Sequence, residues 1–388
     1  MTTEKSETGG MLQRTSEEPL HVGRPNIGDR DGLMQRFNDL LDRRWLTNAG
    51  RYVGELEQRL AEYLGVKHVV AVCNATIGLE IAIKALELRG EVIVPSFTFV
   101  ATAHALQWQE ITPVFCDVDP RTHMLDPDQV EMRVTPRTSG IMGVHLWGRT
   151  CDVEALQKIA ERRRLTLFFD AAHAFGCSRG GTMAGNFGAA EVFSFHATKF
   201  FNTFEGGAVA TNDSALARKM RLMKNFGFAG YDDVVSIGTN GKMTEICAAM
   251  GLTNLESLDH FIDVNRRNYE LYREGLSGVP AIRFLEYEEG ERTNYQYIVI
   301  EIDNDRSAAS RDEVMNALWQ QRIMARRYFY PGCHRMEPYR SLAPHDAMLL
   351  PRTEDLVQRT LVLPTGTAVA EDDIQFICRF IRAAVTGT

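Results

Sequence analysis

Apolar residues recur at three- and four-residue spacing in "DGLMQRFNDLLDRRW", "GELEQRLAEYLGV" and "IGLEIAIKALEL", and again in "DEVMNALWQQRI" and "EDDIQFICRFIRAAV". This is the stripe of an amphipathic helix. Between the helices fall short runs without polar alternation: "EVIVP", "TPVFCDV", "SGIMGVHL", "LTLFFD", "EVFSF" and "GGAVATN". Strands this apolar are buried on both faces, the mark of a mainly parallel sheet covered by helices. The pattern predicts an α/β fold, with a large domain over residues 21–245. Past "GTNGKMTE" the texture changes. "EICAAMGLTNLESLDHFIDVNRRNYELYREGL" predicts one long connecting helix, and "NYQYIVIEID" with the C-terminal helix completes a small α+β domain, so that 246–388 form the second unit.

The first twenty residues, "MTTEKSETGGMLQRTSEEPL", are polar and read as a flexible arm, with no apolar core of signal-peptide length. No later run approaches the ~18 apolar residues of a membrane span. The chain has 51 Asp and Glu against 43 Lys and Arg, a formal net charge of −8. That argues against a general nucleic-acid or membrane-surface binder, whose affinity rests on clustered cations. Any anionic ligand must therefore meet a local basic pocket. The seven cysteines are scattered and form no CxxC pair, which is neither a disulfide framework nor a zinc pattern, so no metal is expected and a reducing cytoplasm suits the chain.

In sheets of this kind ligands gather beyond the carboxyl ends of the strands. Asp170 ends "LTLFF", the segment Ser194 to Lys199 ends "EVFSF", and "CNATIGLE" sits where a strand passes into a helix. Taken singly, each has an ordinary role: a strand-end carboxylate, a solvated lysine, an N-cap turn. Together they suit a pyridoxal phosphate site, which needs an amine to form a Schiff base, a carboxylate against the pyridine nitrogen, an anion cup for the phosphate and an aromatic over the ring. The helix beginning near Thr76 offers free N–H groups and the positive end of its dipole. Phe99 of "PSFTFVAT" follows another strand and either covers the ring or belongs to the core.

The chain resembles the DegT/DnrJ/StrS family of nucleotide-sugar aminotransferases, fold-type-I pyridoxal phosphate enzymes, from "HVGRPNIGD" to the C-terminal helix. "SFHATKFFNTFEGG" looks like the family's Schiff-base motif, which implies Lys199 as the cofactor lysine. "LFFDAAHAFG" resembles the segment carrying the pyridine-nitrogen aspartate, Asp170, with His173 where a side chain approaches the cofactor's phenolic oxygen. "CNATIGLE" matches the phosphate turn, implying Ala75 and Thr76, with Ser194 as a further contact, and "SFTFVAT" matches the ring-stacking segment, implying Phe99. The family is dimeric with shared active sites, and its partner-derived phosphate contact falls in a segment like "GTNGKMTEICAAMG", which implies Asn240. Many relatives carry Arg where this chain has Lys242.

The resemblance further implies L-glutamate as amino donor, with pyridoxamine phosphate formed during turnover, and Lys199 as the proton carrier between the donor's α-carbon and the cofactor. "WLTNAG", "VHLWGR", "ARRYFYPGCHRMEPY" and "VLPTG" look most like enzymes that aminate C4 of a dTDP-linked 4-keto-6-deoxyhexose. A nucleotide diphosphate needs cations, and Lys242, Arg326, Arg327 and His334 are candidates, with Tyr328 and Tyr330 as stacking or hydrogen-bonding partners. Amination at C3 of a keto sugar is the alternative within the family, whose dehydratases replace the lysine by histidine. A nicotinamide-dependent dehydrogenase lacks its GxGxxG here, and a non-catalytic binding protein would have no use for both Lys199 and Asp170.

Overall fold

The computed structural model describes Arg14 and residues 18–387; the arm expected over residues 1–20 lies almost wholly outside them. Seven strands, β1 (His68–Val72), β2 (Glu91–Pro95), β3 (Thr112–Cys116), β4 (Thr138–Val144), β5 (Thr166–Asp170), β6 (Glu191–Ser194) and β7 (Gly207–Thr211), form one sheet. Its order is β1-β7-β6-β5-β4-β2-β3. β6, β5, β4, β2 and β3 pair in parallel, and only β7 runs against its two neighbours. The apolar runs are continuous because both faces are covered. Adjacent residues Phe168 and Phe169 are each fully buried but belong to different core clusters, and Val69 and Val70 divide in the same way. A sheet solvated on one face would have required a polar residue at every second position.

A second sheet of three antiparallel strands, β8 (Ile282–Phe284), β9 (Ile298–Ile302) and β10 (Thr360–Leu363), carries its own core with Tyr272, Val314, Leu318, Ile377 and Ile381. Its helix Arg311–Gln320 starts on a capping box, in which Ser310 and Glu313 satisfy each other's backbone N–H groups. The long helix expected after residue 245 is two helices, Glu245–Glu256 and Leu258–Gly275, parted at Ser257. Periodicity hid the break because the first of them is buried from Ala248 through Asn254 on every side and has no polar stripe to compare with the second. Among the described residues no helix is long and apolar enough to cross a membrane.

Because β7 runs antiparallel, its first residue lies at the carboxyl edge of the parallel strands. Gly207 pairs with Val72 on one side and Ser194 on the other. A Cβ there would come within 2.8 Å of the Ala75 backbone nitrogen, so the absent side chain lets the Ala75–Ala85 helix start directly over the sheet edge. Three separated sequence segments, after β1, β5 and β6, thereby converge.

Candidate active site

Lys199 follows β6 in a loop closed by backbone bonds from its own N–H to His196 O (2.8 Å) and from Thr203 N–H to Phe195 O (2.9 Å). Buried asparagines pin this loop. Asn26 donates from Nδ2 to Phe200 O (2.9 Å), and its Oδ1 accepts from Thr367 near the C-terminus (2.8 Å from Oγ1). Asn202 donates to Asn26 O (2.9 Å), and Asn254 donates to Asn202 O (2.8 Å). The residue is half-buried, yet its ammonium end is enclosed by protein, and that desolvation lowers its pKa to about 8; the nearby Tyr328 and Asp170 pull it back up.

Asp170 ends β5 and is buried. Thr102 donates from Oγ1 to Oδ2 (2.8 Å) and the Ala172 N–H to Oδ1 (3.1 Å). Burial raises its pKa against these hydrogen bonds and the charge of Lys199. No Lys, Arg or His of the described residues lies within ion-pair distance of it. Lys199 and Asp170 therefore feel each other's charge across a gap without closing it.

His173 lies three residues on, with its ring 4.4 Å from that of Tyr297, 5.6 Å from Trp147 and 6.1 Å from Phe329, centroid to centroid. Burial, and then the charge of Lys199, push its pKa well below the usual value, so it is neutral. At the opposite side of the site the Ala75–Ala85 helix opens on Asn74, whose side chain takes the Ile77 N–H (2.9 Å), leaving Ala75 and Thr76 as the open first turn. Ser194 pairs with Gly207, the residue over which this turn begins. Phe99 precedes the Val100–Gln107 helix and is 60% exposed. It belongs to no core cluster and presents its ring at the strand edge.

The substrate-side residues divide. Arg326 is exposed, fixed through its backbone to Val362 and packed over the Tyr328 ring at 5.4 Å. Tyr328 is half-buried, with its ring 6.4 Å, centroid to centroid, from that of Tyr297, whose hydroxyl takes the Lys199 ammonium. Tyr330 lies under the Arg327 guanidinium at 4.0 Å, and Arg327 pairs with Asp312. His334, by contrast, is buried with both ring nitrogens engaged, by Ser96 Oγ at 2.6 Å and by Glu354; it ties its segment to the end of β2. Lys242 packs over Phe226 at 4.5 Å, and Asn240 is exposed two residues before it, beside the Cys73–Asn74 turn, where Cys73 N–H donates to Gly241 O (2.8 Å). Sequence reasoning missed Thr102 and Tyr297. Thr102 sits in the first turn after Phe99, a signal that could have been followed, whereas nothing local marks Tyr297.

A doubly covered, mainly parallel sheet with an enclosed lysine and a caged aspartate at its carboxyl edge defines a fold-type-I pyridoxal phosphate enzyme. The sequence profile of the DegT/DnrJ/EryC1/StrS aminotransferase family matches residues 29–382, and the chain belongs to that family. It is 36% identical, over 94% of its length and 99% of the relative's, to a dTDP-4-amino-4,6-dideoxy-D-glucose transaminase of Shigella dysenteriae. It is also 36% identical, over 92% and 95%, to a GDP-perosamine synthase of Caulobacter vibrioides. Among solved structures, DesI in the presence of its TDP-sugar product superposes with a TM-score of 0.91 at 49% identity, covering 98% of this chain and 95% of that one. The protein is a sugar aminotransferase.

Proposed function

We propose that the protein transfers an amino group from L-glutamate to C4 of a dTDP-linked 4-keto-6-deoxyhexose, giving dTDP-4-amino-4,6-dideoxy-D-glucose, with pyridoxal 5′-phosphate held by Lys199. The observation that carries the chemistry is the pair Lys199 and Asp170, a half-buried lysine with an enclosed ammonium end and a buried carboxylate, not bonded to each other. A buried carboxylate with no cation at ion-pair distance among the described residues suits a protonated pyridine nitrogen. The open turn at Ala75 and Thr76, with Ser194 beside it, suits the phosphate, and the exposed Phe99 ring suits the cofactor's face.

When bound, the cofactor supplies an electron sink for the carbon that loses its proton. Asp170, as a carboxylate, would accept the hydrogen bond of the ring nitrogen and keep that nitrogen protonated, with Thr102 and the Ala172 N–H aiming its oxygens. Lys199, with a pKa of about 8, exists in part as the free amine near neutral pH and can take the proton from the donor's α-carbon and return it. His173 stays neutral and acts as a hydrogen-bonding group. Arg326, Lys242, Tyr328 and Tyr330 line the approach for the nucleotide and sugar; His334 serves from behind by fixing the segment that carries Arg326, Tyr328 and Tyr330.

The nucleotide assignment is supported by the likeness to DesI and to the transaminase of Shigella dysenteriae, against an equal identity to a GDP-sugar enzyme. Turnover with dTDP- and GDP-linked 4-keto-6-deoxyhexoses tests it: kcat/KM is expected to favour dTDP by about tenfold or more, the scale of one good polar contact, and a preference for GDP overturns it. All seven cysteines are unpaired, which supports a cytoplasmic enzyme.

The active enzyme is a homodimer in this reading, with Asn240 reaching the phosphate of the neighbouring subunit. Its surroundings support this, since Phe226, Phe228, Val235 and Ile237 are all exposed, an apolar surface of the kind a second copy would cover. Lys199→Ala and Asn240→Ala chains, each inactive alone, are expected to regain part of the activity once subunits exchange. Mixtures that form heterodimers and stay inactive rule out the shared site.

A further inference from the structure

Lys199, Tyr297 and His173 form a chain of hydrogen bonds whose direction follows from proton counting. Lys199 Nζ lies 3.1 Å from the Tyr297 hydroxyl, and that hydroxyl lies 3.0 Å from His173 Nε2. Tyr297 immediately precedes β9 and is buried, as is His173. A protonated lysine has only donors, so the phenolic oxygen accepts from it. The phenol's single proton then goes to its other neighbour, Nε2. Burial raises the pKa of Tyr297 and lowers that of His173, so both stay neutral around pH 7 and the neutral imidazole must carry its own proton on Nδ1.

Nδ1 is buried and has no hydrogen-bond partner. An unmade hydrogen bond at a buried donor is costly, and the surroundings hold the ring in place. Asn294 donates to the carbonyl oxygens of both His173 (2.9 Å) and Phe175 (3.0 Å), fixing the backbone, while Trp147 and Phe329 pack against the imidazole. Other groups facing the lysine are Asp170 at the end of β5 and Tyr328 from the small-domain segment, and His145 in turn faces Asp170; none of them hydrogen-bonds Lys199 Nζ among the described residues.

We propose that Tyr297 is a positioning residue of the active site: its hydroxyl holds the Lys199 amine and fixes His173 as the Nδ1–H tautomer, leaving that N–H as a donor for an acceptor oxygen of the bound cofactor. This rests on the site assignment above and is independent of which sugar is aminated. Lys199 is thereby kept from swinging onto Asp170, and His173 is a donor before any ligand arrives.

The test is 15N NMR of the full-length protein freed of cofactor and labelled at histidine, at pH 7, with the His173 signals identified by their loss in His173→Gln. The wild type is expected to show the proton on Nδ1. Tyr297→Phe, which removes only the hydroxyl, is expected to shift His173 toward the Nε2–H tautomer. In the loaded enzyme it should lower kcat about tenfold or more while leaving KM for glutamate within about threefold, since the loss falls on proton handling. An Nε2–H tautomer in the wild type, or an unchanged tautomer in Tyr297→Phe, overturns the proposal, and the wild-type spectrum decides even if the variant does not fold. A wrong sugar assignment would instead appear as failed turnover by the wild type with the spectrum as expected.

Discussion

Lys199→Ala is expected to yield a folded protein without the lysine-linked cofactor absorbance and with turnover reduced by a factor on the order of 10³ or more, the scale of losing a group on which every covalent step depends. The fold should survive because the side chain contributes one hydrogen bond, to Tyr297, while the loop is held by its backbone bonds and by Asn26, Asn202 and Asn254. Removing an amine that burial penalises relieves a desolvation cost. Absorbance of the purified variant, its thermal midpoint and single-turnover assays measure the three parts. Full turnover by Lys199→Ala would refute the lysine assignment.

Asp170→Asn is expected to separate stability from activity. Turnover should fall at least ~100-fold, corresponding to the loss of about 3 kcal/mol of electrostatic stabilisation, because an amide cannot keep the pyridine nitrogen protonated. The cofactor-free protein should be no less stable than wild type at pH 7. Burial raises the pKa of Asp170 in the folded state, so the native protein binds this proton more tightly than the unfolded chain does. Its contribution is favourable below the ordinary carboxylate value and is lost as pH rises through the raised one. At pH 7 the ionised group is a liability that asparagine removes. Thermal unfolding of both cofactor-free proteins, with kcat of the loaded ones, checks this; a variant within a few-fold of wild-type turnover, or one that unfolds well below wild type, contradicts it.

The two groups with the largest expected effects stood out in the sequence because Asp170 closes one strand buried on both faces and Lys199 lies in the loop just after another, among aromatic and small neighbours where a charged residue has no structural need. Phe99 was equally visible, although only the structure decided between core and exposed strand edge. The partners of these groups were not visible. Thr102 and Tyr297 reach Asp170 and Lys199 across 68 and 98 residues of chain, the first from a helix packed on the same sheet and the second from the start of β9 in the three-stranded sheet, and no local period signals either contact. His334 illustrates the converse. A polar residue in "YFYPGCHRMEPY" reads the same whether its ring faces a ligand or is tied between Ser96 and Glu354. The break at Ser257 leaves no mark in the sequence pattern because both flanking segments are helical and the first has no polar stripe.

Amination at C4 of a dTDP-linked sugar is tested most directly by following the nitrogen. Enzyme, pyridoxal phosphate and 15N-labelled L-glutamate would be incubated with dTDP-4-keto-6-deoxy-D-glucose and, separately, with a dTDP-3-keto-6-deoxyhexose, and the new carbon–nitrogen bond located by NMR. The expected product carries 15N on C4 and forms from the 4-keto sugar. Label on C3, turnover of the 3-keto sugar alone, or no transfer of label to either nucleotide sugar would rule out C4 amination.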